Sequence, residues 1–119
     1  MKKKILVLQK HAPYGSSLAR DGLDYVLTSA AYDQDISIAF IADGVWQLMK
    51  NQAPDAIGQK SQSAALDVLS LYDIEQLYAC EEDLTERNLS KDDLSIDVEL
   101  VKREQIQKLI NDQDAVIGF

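Results

Sequence analysis

The sequence predicts an α/β fold built on a mostly parallel, five-stranded, doubly wound sheet. Three observations carry this. Strand-like and helix-like patterns alternate along the 119 residues. The first strand, "KILVLQ", is a continuous Ile/Leu/Val run, as expected of a strand buried on both faces of a parallel sheet. The stretches between strands are long enough for helical crossovers, which parallel neighbours need.

The elements follow in order. Lys4–Gln9 is the first strand. "HAPYGSS" then signals a loop through Pro13 and Gly15, and Ser16 or Ser17 can cap the next helix. Leu18, Gly22, Leu23, Val26, Leu27 and Ala30 keep the helical period to about Tyr32. "DISIAFIA", Asp35–Ala42, is the second strand, and Asp43 can cap a short helix through "GVWQLM". "NQAPDAIGQ" is loop-like. Ser61 or Ser63 can start the helix "AALDVLSLY", with Leu66, Leu69 and Leu71 on or near one side. "IEQLYAC" is the third strand. "EEDLTER" is a short helix, and Asn88 suits the left-handed position after its end. "LSKDDL" is irregular. "IDVELV" alternates by two, so it reads as half exposed, with Ile96, Val98 and Leu100 on one face. "REQIQKLIND" is an amphipathic helix with Ile106, Leu109 and Ile110 inward, and "DAVIGF" is the last strand.

No Gly/Ser-rich or Pro-rich linker, internal repeat or low-complexity tract interrupts this order, so residues 1–119 are expected to form one domain. The composition, 46% hydrophobic and 27% charged, is that of a globular chain. A formal net charge of −8 argues against direct nucleic-acid binding, because phosphate neutralisation needs clustered Lys and Arg. The basic clusters, Lys2–Lys4 and Lys102-Arg103, form no stripe on a helix. No apolar run is long enough to span a bilayer, and the run in "MKKKILVLQK" is too short for a signal peptide. A single cysteine excludes an internal disulfide, and the cytoplasm is the expected location.

In such sheets ligands sit outside the carboxyl ends of the strands. That brings the 10–16 loop, the Asp43 turn and Cys80 to one edge. A flavin or phosphate site in "HAPYGSS" is a poor prospect: the loop holds one glycine, and Pro13 removes an N–H from the cradle. A phosphorylation receiver fits worse, since Gln9-Lys10-His11 stands where its acidic pair would be. No cofactor and no metal are expected.

"HAPYG", "IADGVWQL", "LSLYDIEQLYAC" and "DAVIGF", in that order and at these separations, resemble the TusC (DsrF-like) branch of the DsrE/DsrF sulfur-relay family. The likeness runs over essentially the full length. It implies a flavodoxin-like three-layer sandwich in a cytoplasmic hetero-oligomer, a dimer of heterotrimers with TusB-like and TusD-like partners. The assembly would relay persulfide sulfur from a TusA-like donor to a TusE-like acceptor, toward the 2-thio group of the tRNA wobble uridine. Related DsrEFH-type complexes serve dissimilatory sulfur oxidation instead. The branch also implies a non-catalytic subunit, with the persulfide-carrying cysteine on the TusD-like partner.

Cys80 falls at the position matching that cysteine, and two readings of it stand side by side. A thiol at a helix start feels the positive end of the peptide dipoles, which favours the thiolate that carries sulfur. Against this, Glu81, Glu82 and Asp83 follow at once, and no Lys, Arg or His lies within six residues on either side. Negative neighbours raise a thiol's pKa. Cys80 is accordingly read as a relic or accessory thiol, with a sulfurtransferase carrying persulfide on Cys80 as the alternative. His11, the only histidine, is either a base for Cys80, since the strands leading to the two residues are expected to be neighbours, or a plain loop residue, and the loop reading is preferred. Trp46 and Met49 are interface candidates, and Tyr72 and Tyr78, with Leu77, are a second candidate contact region, since aromatic residues and Met are enriched at subunit contacts.

Overall fold

The computed structural model describes residues 3–13, 15–32, 34–49, 66–72, 74 and 76–119. The loop-like "NQAPDAIGQ" and the helix-start candidates Ser61 and Ser63 lie outside the described residues. Five strands form one sheet: β1 (Lys4–Gln9), β2 (Asp35–Phe40), β3 (Gln76–Cys80), β4 (Glu99–Val101) and β5 (Ala115–Gly118). Their order is β4-β3-β2-β1-β5, and each neighbouring pair is parallel. The helices are α1 (Leu18–Ala31), α2 (Glu81–Glu86) and α3 (Arg103–Asn111), with 3₁₀ segments at Ala42–Leu48, Asp67–Tyr72 and Lys91–Asp93.

The chain steps outward from β1 to β4 and returns past β1 to lay down β5. With right-handed crossovers, that reversal puts the β4–β5 connection and its helix α3 on the face opposite α1. The doubly wound three-layer architecture follows. One expected adjacency does not: β2 lies between β1 and β3, so the strand ends leading to His11 and Cys80 are not neighbours.

Central β1 and β2 are buried on both faces through Ile5, Leu6, Val7, Ile36, Ile38, Ala39 and Phe40. The edge strand β5 alternates between half-buried and exposed residues. The "IDVELV" run alternates as expected, but only Glu99–Val101 pairs with β3. The main core joins these central strands to Leu23 and Val26 of α1, and the Phe119 ring lies 5.7 Å from that of Tyr25 at its border.

Local chemistry accounts for the element ends. Ser17 is the N-cap residue of α1, but its hydroxyl donates to Asp21, and Ser16 Oγ accepts the Leu18 N–H. Asp43 does not cap the segment after β2; it lies in its first turn and accepts hydrogen bonds from Arg87. Asn88 takes the left-handed position after α2 (φ 58). The Leu89 N–H reaches the Leu84 carbonyl and the Asn88 N–H the Thr85 carbonyl, completing a Schellman closure. The stretch expected as the helix "AALDVLSLY" is 3₁₀ over Asp67–Tyr72. Leu66, just before that segment, and Leu69 within it are buried, whereas Leu71 is 80% exposed.

Candidate functional site

β3 delivers Cys80 to the carboxyl edge of the sheet, where it is the N-cap residue of α2. The side chain is wholly buried, in a small cluster with Val101 and Ile106, bordered by Ile41, Tyr78 and Ile110. This cluster is separate from the main core and is built largely from β4 and α3.

The three acids after Cys80 do not point unopposed at the thiol. Each meets the start of α3. Glu81 pairs with Lys102 Nζ at 3.3 Å. Both Glu82 carboxylate oxygens accept the Arg103 backbone N–H, at 3.0 and 3.2 Å. Asp83 Oδ1 accepts Arg103 Nη2 at 2.7 Å. Two cations at the start of a helix oppose its dipole, and the Glu82 carboxylate on the first amide offsets this.

Asp83 is buried and ties in a third element, because its Oδ2 accepts the Ala42 N–H at 2.7 Å. Ala42 has φ 49, a left-handed conformation costing a non-glycine residue about 1–2 kcal/mol. A charge-assisted hydrogen bond to a fixed carboxylate helps hold it there. Beside it, Arg87 joins the Asp43 carboxylate (2.9 Å through Nη2) to the Asp83 carbonyl (3.0 Å through Nη1).

The thiol is set against ionisation. Burial pushes its pKa up, and the Asp83 side chain and the charges of Asp83 and Glu82 push the same way. A backbone hydrogen bond from the Asp83 N–H pulls downward and loses. The helix-start effect is therefore present and outweighed. The protonated thiol donates weakly to Glu82 Oε1, at 3.7 Å. For Asp83, burial alone would raise the pKa, but the Ala42 N–H, Arg103 and the Cys80 thiol together hold the carboxyl below its usual range.

The edge does gather the three places expected there. The β1 end meets the turn after β2: Gln47 Nε2 donates to the His11 carbonyl at 2.8 Å, and the Ile41 N–H reaches the Gln9 carbonyl. His11 contributes its main chain; its residue is exposed, whereas Cys80 is sealed and β2 lies between their strands. This separation argues against the alternative of His11 as a base for Cys80 and agrees with the preferred loop reading; only the expected adjacency of their strands is corrected. Beneath the turn, Gln9 is wholly buried, donating to the Ala19 carbonyl and receiving a long hydrogen bond from Gln47.

The interface candidates scatter. Trp46 and Met49 are half-buried on and just after the segment following β2, and Met49 bridges to Leu94. Tyr72 is 48% exposed. Tyr78 and its neighbour Leu77 do not form one region: Tyr78 borders the Cys80 cluster and Leu77 the main core, since successive strand residues face opposite ways. Tyr78 also lines an open groove of about 430 Å³ with Gln76, Asp97 and Glu99. Burial, then the charges of Glu99 and Asp35, raise its phenol pKa. Among the described residues, no group of three His, Cys, Asp or Glu converges to hold a metal ion.

Arg87, Arg103, Gln9 and Gln47 were not singled out as site residues from the sequence. The available signal for Arg103 was charge: two helix starts, "EED" and "KR", carry opposite signs.

Residues 3–119 match the model of the DsrE/DsrF-like family. A protein of Vibrio parahaemolyticus called "Protein TusC homolog" is 37% identical over 116 residues, covering 98% of each chain. "Protein TusC" of Buchnera aphidicola subsp. Acyrthosiphon pisum is 35% identical over 118 residues, covering 98% of this chain and 99% of the other. Among solved structures, the ychN protein from E. coli has a TM-score of 0.83 at 21% identity, covering 100% of both chains. A protein of unknown function from Methanobacterium thermoautotrophicum gives 0.71 at 15% identity over the same full coverage. These two likenesses concern the fold.

Proposed function

The chain belongs to the DsrE/DsrF-like family, and on that premise we propose that it is a structural, non-catalytic subunit of a sulfur-relay assembly. Its partners are TusB-like and TusD-like chains in a cytoplasmic dimer of heterotrimers, and residues 1–119 enter as one domain. The assembly receives persulfide sulfur from a TusA-like donor and passes it to a TusE-like acceptor, toward 2-thiolation of the tRNA wobble uridine. The relatives called TusC support this branch. The net charge of −8 supports contact with partner proteins rather than with tRNA itself.

The observation that carries the non-catalytic role is the state of Cys80. A persulfide carrier needs an accessible thiol that ionises. Cys80 has no exposed surface, and its pKa is raised by burial and by the acids around it. The half-buried Trp46, Met49 and Tyr78 and the exposed Tyr72 are the proposed partner contacts.

Size-exclusion chromatography tests the assembly. The tagged chain alone is expected to associate poorly or aggregate. Co-expressed with its TusB-like and TusD-like partners, it should elute in one defined hetero-oligomer. A well-behaved monomer that ignores both partners would contradict the proposal.

A further inference from the structure

We propose that the ion-paired buckle between α2 and α3 is a latch, and that β4 with the first turn of α3 is the lid it holds over Cys80. The lid is recognisable from what covers the sulfur. Val101 and Ile106, the two buried residues that share a cluster with the thiol, both come from this stretch of chain, while the half-buried Ile41, Tyr78 and Ile110 border the cluster from outside it. Its attachment to the sheet is slight: β4 pairs with β3 through three residues. Among the described residues, no strand follows along its other edge in the sheet order.

What fastens the lid is the set of contacts from Glu81, Glu82 and Asp83 to Lys102 and Arg103. The two sides of the latch differ. Asp83 is fixed: its side chain is 11% exposed, and its second oxygen is committed to the Ala42 N–H. Arg103 is the movable half, with a side chain 58% exposed that reaches inward to Asp83 at 2.7 Å. Glu82 holds the backbone of the same residue and touches the sulfur. Releasing the Arg103 side chain from Asp83 therefore loosens the lid at the residue whose backbone is held by Glu82, the carboxylate that accepts from the thiol. The Lys102–Glu81 contact joins two well-exposed side chains and contributes little to the fastening. The inference concerns access to Cys80 and goes beyond the subunit role proposed above.

The test is the rate of Cys80 alkylation by iodoacetamide in the dilute, non-aggregated fraction of the full chain near neutral pH, followed by mass spectrometry. Arg103→Met keeps the apolar stem and removes the charge. It is expected to raise the rate tenfold or more, with no dependence on low urea concentrations, as local opening requires. Lys102→Met should change the rate less than twofold. A rate in Arg103→Met no faster than in the original chain would overturn the proposal, as would one that rises only in step with global unfolding. Hydrogen exchange on the unaltered chain gives an independent reading. Amides of residues 101–106 should exchange through openings that leave β1 and β2 protected; equal protection of all three would also overturn it. Neither measurement uses a sulfur donor or a partner, so this proposal can fail while the sulfur-relay reading stands, and the reverse.

Discussion

At the scale of single residues, the carboxyl edge is set by close approaches that only particular side chains permit. Gly44 is the sharpest. A Cβ on it would lie 1.8 Å from the Gln9 carbonyl oxygen, a backbone atom that cannot swing aside. Gly44→Ala should therefore cost at least about 3 kcal/mol, at the upper end of overpacking penalties, because the turn after β2 must lift away from β1. Urea denaturation reads this directly, and a loss under about 1 kcal/mol would mean that the turn relaxes freely. Gly22, by contrast, faces the end of the Gln9 side chain, which can shift, though at the expense of its hydrogen bond to Ala19. Cys80 illustrates the limit of reasoning from local sequence. Its acidic neighbours do raise its pKa, as their positions suggest, yet burial is the largest cause. Burial depends on Val101 and Ile106, which are remote in sequence.

Between elements, Asp83 is the junction of α2, α3 and the turn after β2. Its folded-state pKa is depressed, so the unfolded chain holds the proton more tightly. The stability it contributes is present above the unfolded value, about 3.9. It is lost as pH falls through that value toward the lower folded one. Between about pH 5 and pH 3 the unfolding temperature of the original chain should fall more steeply than that of Asp83→Asn, which has no such proton to bind. Parallel acid limbs in the two proteins would remove Asp83 as a stabilising carboxylate. The strands and long helices were legible because Ile/Leu/Val runs and the 3.6-residue period are local signals; β1 spans Lys4–Gln9 as read. The 3₁₀ form of Asp67–Tyr72 was not, because leucines at 66, 69 and 71 suit an α-helix equally well. The latch was not legible either. Asp83 and Arg103 are 20 residues apart, and their pairing depends on the crossover from β3 to its parallel neighbour β4, which sets both helix starts at one edge.

For the whole molecule, the account places a sealed thiol at the strand end where a sulfur carrier would need an open one. The family is supported along residues 3–119, and the position of Cys80 at the end of β3 was visible in the sequence. That the thiol is buried was not, since its burial belongs to the packing of β4 and α3 upon it. The exposed Leu71 and Tyr72 and the half-buried Trp46 and Met49 give the molecule candidate contact surfaces. The most direct test of the central claim is to map sulfur in the co-purified assembly. The complex with TusB-like and TusD-like partners would be loaded with persulfide, and the added sulfur located by intact and peptide mass spectrometry, with Cys80→Ser in parallel. The account predicts added sulfur on the partner alone and unchanged transfer in Cys80→Ser. A persulfide on the Cys80 peptide, with transfer lost in the variant, would contradict it and make this chain a station in the relay.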